Sequence, residues 1–208
     1  MPAIFDISPI VSPRTAVWPG DQAFERSVAL NCDTGDSITL SSIKTTVHIG
    51  AHTDAPSHYV SGGQSIHERP LDIYVGPCQV ISVDIGRNER IHPAHIKTPV
   101  KTERIIFRTE TFPDPERFNT DFAALSAPLI HWLSKRGVRL VGIDTPSIDL
   151  CDDKLLESHS AVAEHDMAIL EGVVLDCVND GSFTLVALPL RLEGADASPV
   201  RAILLDDQ

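Results

Sequence analysis

At 208 residues, 42% apolar and 22% charged, the chain has the size and composition for one domain with a substantial core. Its formal net charge of −12, relieved by no run of Lys or Arg, argues against roles that rest on binding nucleic acid or an anionic lipid surface. No apolar run approaches ~20 residues, so no membrane span is expected.

The start, Met1-Pro2-Ala3-Ile4-Phe5-Asp6, has neither a basic n-region nor a long apolar stretch, so no signal peptide is expected. Cys32, Cys78, Cys151 and Cys177 form no CxxC pair and read as reduced thiols. A cytoplasmic protein fits these features.

Residues 3–7 predict a short strand. A proline-punctuated loop follows, from Ser8-Pro9 to Trp18-Pro19-Gly20-Asp21. Trp18 in such a loop either covers a core edge or serves a site. Residues 24–30 and 37–47 alternate and are rich in Val, Ile and Thr, with the turn cluster 31–36 between them, which predicts a hairpin.

The second strand runs into His48-Ile49-Gly50-Ala51-His52-Thr53-Asp54-Ala55-Pro56-Ser57-His58. Three histidines and an aspartate in this run, without a positive charge or a cysteine, are ligand types that zinc, manganese and iron accept. His48 and His52 would share a helical face, but Gly50, Thr53 and Pro56 disfavour a helix. In extended backbone His52 and Asp54 share a side and converge on one metal, with Pro56 and His58 further along that side. Scattered surface histidines are the plain alternative; the concentration in one Gly/Pro-punctuated run favours a metal site.

Beyond the run, His67 sits in a loop beside it, either solvated or entering the site, and His92 and His95 read as surface residues. Residues 71–74 predict one helical turn, and residues 78–85 and 104–109 predict strands. Ser126 is the expected N-cap of a helix over 128–136, with Gly137 ending it. Residues 138–143 predict a strand ended by Asp144, either a turn-capping residue or a functional one. Residues 153–171 predict a helix broken near its middle and stopped at Gly172. It carries Glu157, His159, Glu164, His165, Asp166 and Glu171 as possible ligands or as a solvated face. On one straight helix His159 and Glu171 lie about 120° out of phase, so spacing alone does not bring them together. Residues 173–175, 183–188 and 200–205 predict the closing strands. The expected fold is one mixed α/β domain over 1–208, with few helices and a mixed or antiparallel sheet.

The central run resembles the His-x-Gly-Thr-His-x-Asp-x-Pro-x-His signature of the cyclase-like metal-dependent hydrolases, with Ala51 in place of the threonine. Asp6-Ile7-Ser8-Pro9, Trp18-Pro19-Gly20-Asp21, His165 to Gly172, Ala187 to Leu190 and Ala195 to Arg201 resemble the bacterial kynurenine formamidase (arylformamidase) branch of that family. The resemblance implies a swivelling β/β/α fold, a homodimer, and hydrolysis of N-formyl-L-kynurenine to L-kynurenine and formate in tryptophan breakdown. It further implies two ions per subunit, zinc or else manganese or another divalent metal. By the same resemblance His48, His52 and Asp54 hold one ion, Asp54 and Glu171 bridge to a second, and His159 completes it. His58 is then the proton shuttle and Trp18 lines the pocket for the aryl ring. Two rival readings are a related hydrolase opening a cyclic amide such as isatin, and a non-catalytic metal-binding protein.

Overall fold

The computed structural model describes residues 3–206. In chain order the strands are β1 (Ala3–Asp6), β2 (Glu25–Leu30), β3 (Leu40–Lys44), β4 (His52–Asp54), β5 (Val75–Ser82), β6 (Arg90–Ile91), β7 (Arg104–Arg108) and β8 (Ala124–Leu125). They continue with β9 (Leu140–Ile143), β10 (Ala168–Leu170), β11 (Gly181–Val186), β12 (Ala197–Pro199) and β13 (Ile203–Asp206). The α-helices are short: α1 (Pro56–Tyr59), α2 (Ala127–Ser134) and α3 (Glu157–Glu164).

The main sheet runs β1-β13-β11-β5-β7-β9-β10. Its first half, from β1 to β5, is antiparallel, and its second half, from β5 to β10, is parallel. β7, β9 and β10 are buried nearly throughout, which is why Arg-Ile-Ile-Phe, Leu-Val-Gly-Ile and Ala-Ile-Leu read as continuous apolar runs and not as alternation. Ile105 and Phe107 of β7 point to the face where Leu129, Ile130 and Leu133 of α2 and Val162 of α3 pack. Ile106 points to the other face, into a core with Ile7, Ala51, Leu185 and Leu204. The expected mixed α/β domain with few helices is what the chain forms. Among the described residues no helix is long and apolar enough to cross a membrane.

Three local expectations need correction. The stretch 153–171 is helical only over α3. Asp166 takes a left-handed conformation (φ 48°) and the chain returns as β10, pairing parallel with β9. Residues 173–175 form no ladder, though Val173 and Leu175 are buried and Val174 N–H donates to the Ile7 carbonyl. Residues 56–58 are helical and not extended, because Pro56 sits at the first helical position, where its fixed φ and missing N–H are tolerated. The parallel half holds two successive strand–helix–strand crossovers, through α2 and α3, so the sheet is mixed as expected. Ser126 caps α2 as expected, accepting from Leu129 N–H, and Gly137 follows at φ +81°. Met1 and Pro2, on which the reading of the N-terminus partly rested, lie outside the described residues.

Candidate metal centre and active site

His52 and Asp54 alternate with Thr53 along β4, so both project to one side while Thr53 Oγ1 donates to the Ile169 carbonyl on the other. β12 flanks β4 along one edge, pairing Ala197 with Asp54 and Pro199 with His52. On the other edge the His52 and Glu171 backbones form an isolated antiparallel bridge, which brings Glu171 in from the end of β10. Close approach of these strands needs glycine. Gly172 (φ +65°) lies against Gly50, and a Cβ there would collide with the Gly50 carbonyl.

Three imidazoles converge on two carboxylates. His48 Nδ1 stands 3.0 Å from Asp54 Oδ1, and His52 Nε2 stands 3.5 Å from the same oxygen and 3.1 Å from Glu171 Oε2. His159 Nε2, arriving from α3, stands 3.5 Å from Asp54 Oδ2 and 3.8 Å from Glu171 Oε1. Donor atoms fall into two overlapping groups, His52 with Asp54 and Glu171, and His48 with Asp54 and His58, so that Asp54 belongs to both. The His58 ring lies 4.3 Å from that of His48 and 6.2 Å from that of His159.

Each imidazole in the cluster has its second nitrogen tied to an oxygen. His52 Nδ1 faces the Gly50 carbonyl at 2.9 Å, His159 Nδ1 faces Asp149 Oδ2 at 2.8 Å, and His48 Nε2 faces Asp196 Oδ2 at 3.1 Å. Such partners orient each ring and leave its other nitrogen facing the carboxylates, the arrangement of metal-ligating histidine. Asp149 is wholly buried and does more. It accepts the Ser158 and His159 N–H groups at the start of α3, a helix without a side-chain N-cap of its own, and is held by Arg90 at 2.7 Å.

Charge in the site is strongly coupled. Burial alone would lower the pKa of His48, but Asp54 and Asp196 raise it to about 9. For His159 burial is likewise overcome, by Asp149 and Asp54, and the pKa rises to about 10. His52 shifts up against burial because Glu171 and Asp54 face it. Burial opposes ionisation of Asp54, yet His159 and His48 hold it well below the ordinary carboxylate range. The buried carboxylates thus favour positive charge at this centre, which a divalent cation would also supply.

The residues fit a divalent ion. Asp54 Oδ1 is buried and accepts no well-directed hydrogen bond, an orphaned acceptor that coordination would satisfy. The donors are imidazole nitrogen and carboxylate oxygen, which suit zinc, manganese or iron, and no cysteine is among them.

The cluster forms the floor of a cleft of about 450 Å³. Trp18 lines one wall, 37% exposed, with its ring edge-on to Phe118 at 5.4 Å and to Phe122 at 6.2 Å. Phe112 joins the same wall, 5.8 Å from Phe118. The Ala16 N–H bond to the Pro115 carbonyl fastens the Trp18 loop to the segment carrying these phenylalanines.

Of the stretch 153–171, Glu157, Glu164, His165 and Asp166 lie away from this cleft, while the residues that the resemblance names, Trp18, His48, His52, Asp54, His58, His159 and Glu171, all line it. His67 does not; it contacts Ser65 and Gly194 N–H instead. Asp144 lines the cleft but spends its carboxylate on Thr109 and Glu110, as a turn-anchoring residue. Sequence reasoning missed Asp149, Asp196, Phe112 and Phe118. The two aspartates sit in turn-like surroundings that give no signal of their own, whereas the phenylalanine-containing stretch after β7 was a visible loop with large aromatics.

The Cyclase family model, described as "Putative cyclase", matches residues 5–150. A solved structure of a "potential metal-dependent hydrolase with cyclase activity" is 27% identical over 99% of this chain and 98% of that one, with a TM-score of 0.84. A "predicted metal-dependent hydrolase" of Bacillus stearothermophilus is 27% identical over 98% of both chains, with a TM-score of 0.82. Isatin hydrolase A of Labrenzia aggregata, bound to benzyl benzoate, shares the fold at 22% identity, over 99% of this chain and 94% of that one, with a TM-score of 0.81. The chain belongs to the Cyclase family and carries, in that family's metal-dependent hydrolase fold, a His/Asp/Glu centre suited to a divalent ion.

Proposed function

We propose that the protein hydrolyses N-formyl-L-kynurenine to L-kynurenine and formate, using two zinc ions or another divalent metal. The supporting observation is the placement, in one cleft, of the carboxylate–imidazole centre, the half-exposed His58 and an aromatic wall built on Trp18. His48, His52 and Asp54 would hold one ion, and Asp54, Glu171 and His159 a second. Such ions, when bound, would acidify water and polarise the formyl oxygen.

The chain's own groups do the rest. Glu171 Oε1 accepts the Ile148 N–H at 2.6 Å, which fixes the carboxylate's orientation before substrate arrives. Trp18 and the phenylalanines beside it stack on or edge the aryl ring, directing the small formyl group to the floor. As water oxygen bonds to the formyl carbon and the C–N bond breaks, the arylamine nitrogen must gain a proton, since expulsion as an anion is slow. His58 delivers it: Nδ1 faces Asp196 Oδ2 at 3.3 Å, which leaves Nε2 to take up and release the proton.

A second reading, opening of a cyclic amide such as isatin, is supported by the fold shared with isatin hydrolases. Formate release from N-formyl-L-kynurenine, measured before and after chelation with metal content on the same sample, decides between them when isatin is run in parallel. Turnover lost on chelation and restored by a divalent ion supports the formamidase reading. Turnover of isatin alone favours the second, and metal-loaded protein silent on both returns the non-catalytic reading.

A homodimer belongs to this proposal. Every residue of strands β2 and β3 is exposed, including Val28, Leu30, Leu40 and Ile43, and a lone two-stranded hairpin is marginal in water without a surface to pack on. A second copy supplies that surface; light scattering on wild type and Ile43→Asp tests it, with loss of the dimer in the variant expected and a wild-type monomer overturning it. A cytoplasmic location is part of the same reading, supported by four unpaired cysteines.

A further inference from the structure

Outside the cleft, the C-terminal ends of α2 and α3 bring His131, Glu164 and His165 together. His131 Nδ1 lies 2.8 Å from His165 Nε2 and 4.0 Å from Glu164 Oε2, and one donor atom of each lies within 4.8 Å of the others. The two rings stand nearly perpendicular, at 85°. All three side chains are accessible from solvent, Glu164 and His165 being exposed.

The contact between the imidazoles is chemically distinctive. Nitrogen faces nitrogen, so one must donate and the other accept, and protonation of both breaks the contact. Zinc–nitrogen bonds of ~2.0–2.1 Å place two imidazole nitrogens about 3.3 Å apart on a tetrahedral ion, so small side-chain rotations replace the shared proton with a cation. The local field favours that exchange. His131 is in the last turn of α2, Glu164 ends α3 and His165 caps it, so two helix C-termini turn partial negative charge toward the trio.

We propose that His131, Glu164 and His165 form a second, surface metal site for a borderline ion such as Zn²⁺ or Cu²⁺, with water completing the coordination. An ion held there joins α2 to α3, the helix that also carries His159. The site is independent of the chemistry assigned to the cleft.

The test is equilibrium dialysis of full-length protein against Zn²⁺, comparing wild type with His131→Ala, His165→Ala and the cleft variant His52→Ala. The expected result is that His131→Ala and His165→Ala each bind one ion fewer than wild type, whereas His52→Ala keeps the surface ion. Equal zinc stoichiometry in wild type and both surface variants overturns the proposal, as does loss in only one of them. Paramagnetic resonance of bound Cu²⁺ on wild type and both surface variants gives a second readout, of the ligand set itself. Coupling to two imidazole nitrogens that disappears in either surface variant supports the site; the same spectrum in all three proteins overturns it.

Discussion

His52 and Glu171 exchange both backbone hydrogen bonds, N–H to carbonyl at 3.1 Å in one direction and 2.9 Å in the other, and their side chains meet again at 3.1 Å. Residues directly opposed in an antiparallel pair project to the same face. The backbone pairing thus sets the spacing of a histidine and a carboxylate 119 positions apart in the numbering, before any ion is bound. The placement of the two side chains is built into the ladder and does not depend on a flexible loop.

Glu171→Ala removes a donor from this pair and also leaves the Ile148 N–H without its acceptor. The expected outcome is loss of bound metal together with destabilisation of about 1–3 kcal/mol from the unpaired buried N–H. Glu171→Gln retains an acceptor for Ile148, so its fold should be closer to wild type while its metal content still falls. Metal analysis and denaturant unfolding on both variants check this; full metal occupancy in either one would remove Glu171 from the ligand set.

Asp149 is the second prediction. Its carboxylate joins His159 Nδ1, the first N–H groups of α3 and the Arg90 guanidinium. Arg90 and His159 hold its charge in spite of burial, which works to raise its pKa. Asp149→Asn keeps the shape but lets the amide donate where only acceptance serves, so His159 loses its orienting partner. Metal affinity is expected to fall roughly 10–100-fold, the usual cost of losing a histidine's outer partner. A metal-binding titration with wild-type affinity would show that His159 orients without it.

What the sequence disclosed depended on the length of each signal. The run from His48 to His58 was legible because its donors are adjacent in the chain and strand alternation brings His52 and Asp54 to one side. His159 and Glu171 came only through the family resemblance. Their spacing suggests one helix, but the helix ends at Glu164, and a three-residue strand is too short to declare a period of two. The hairpin was visible in its β-branched alternation, but nothing in that pattern told that both faces lie open. Asp149 and Asp196 looked like turn residues, and only the long-range packing of α3 and β12 against β4 gives them a histidine to hold.

His58→Ala is expected to keep its metal and to lose ~10²–10⁴-fold in kcat, the typical worth of general acid–base help. Asp196→Asn should give a smaller loss with the same metal content, because Asp196 orients the His58 ring at 3.3 Å without meeting substrate. That carboxylate also touches His48 at 3.1 Å, so metal analysis must accompany the kinetics. Metal loss in His58→Ala would make His58 a ligand, as its grouping with His48 and Asp54 also permits. Unchanged turnover would end its catalytic role.

Trp18 tests the pocket rather than the chemistry. Its ring is packed edge-on to Phe118 and Phe122 in the cleft wall, so its removal should leave the reacting centre intact. Trp18→Ala is expected to raise KM for an aryl formamide about 5–30-fold with little change in kcat, since a lost aromatic contact of ~1–2 kcal/mol is shared by ground state and transition state. Trp18→Phe should recover most of the loss, because a smaller ring still stacks. Steady-state kinetics on formate release, repeated with a small non-aromatic formamide, separate the cases: a KM that rises only for the aryl substrate locates the ring against Trp18, and an unchanged KM in both series places the aryl group elsewhere in the cleft.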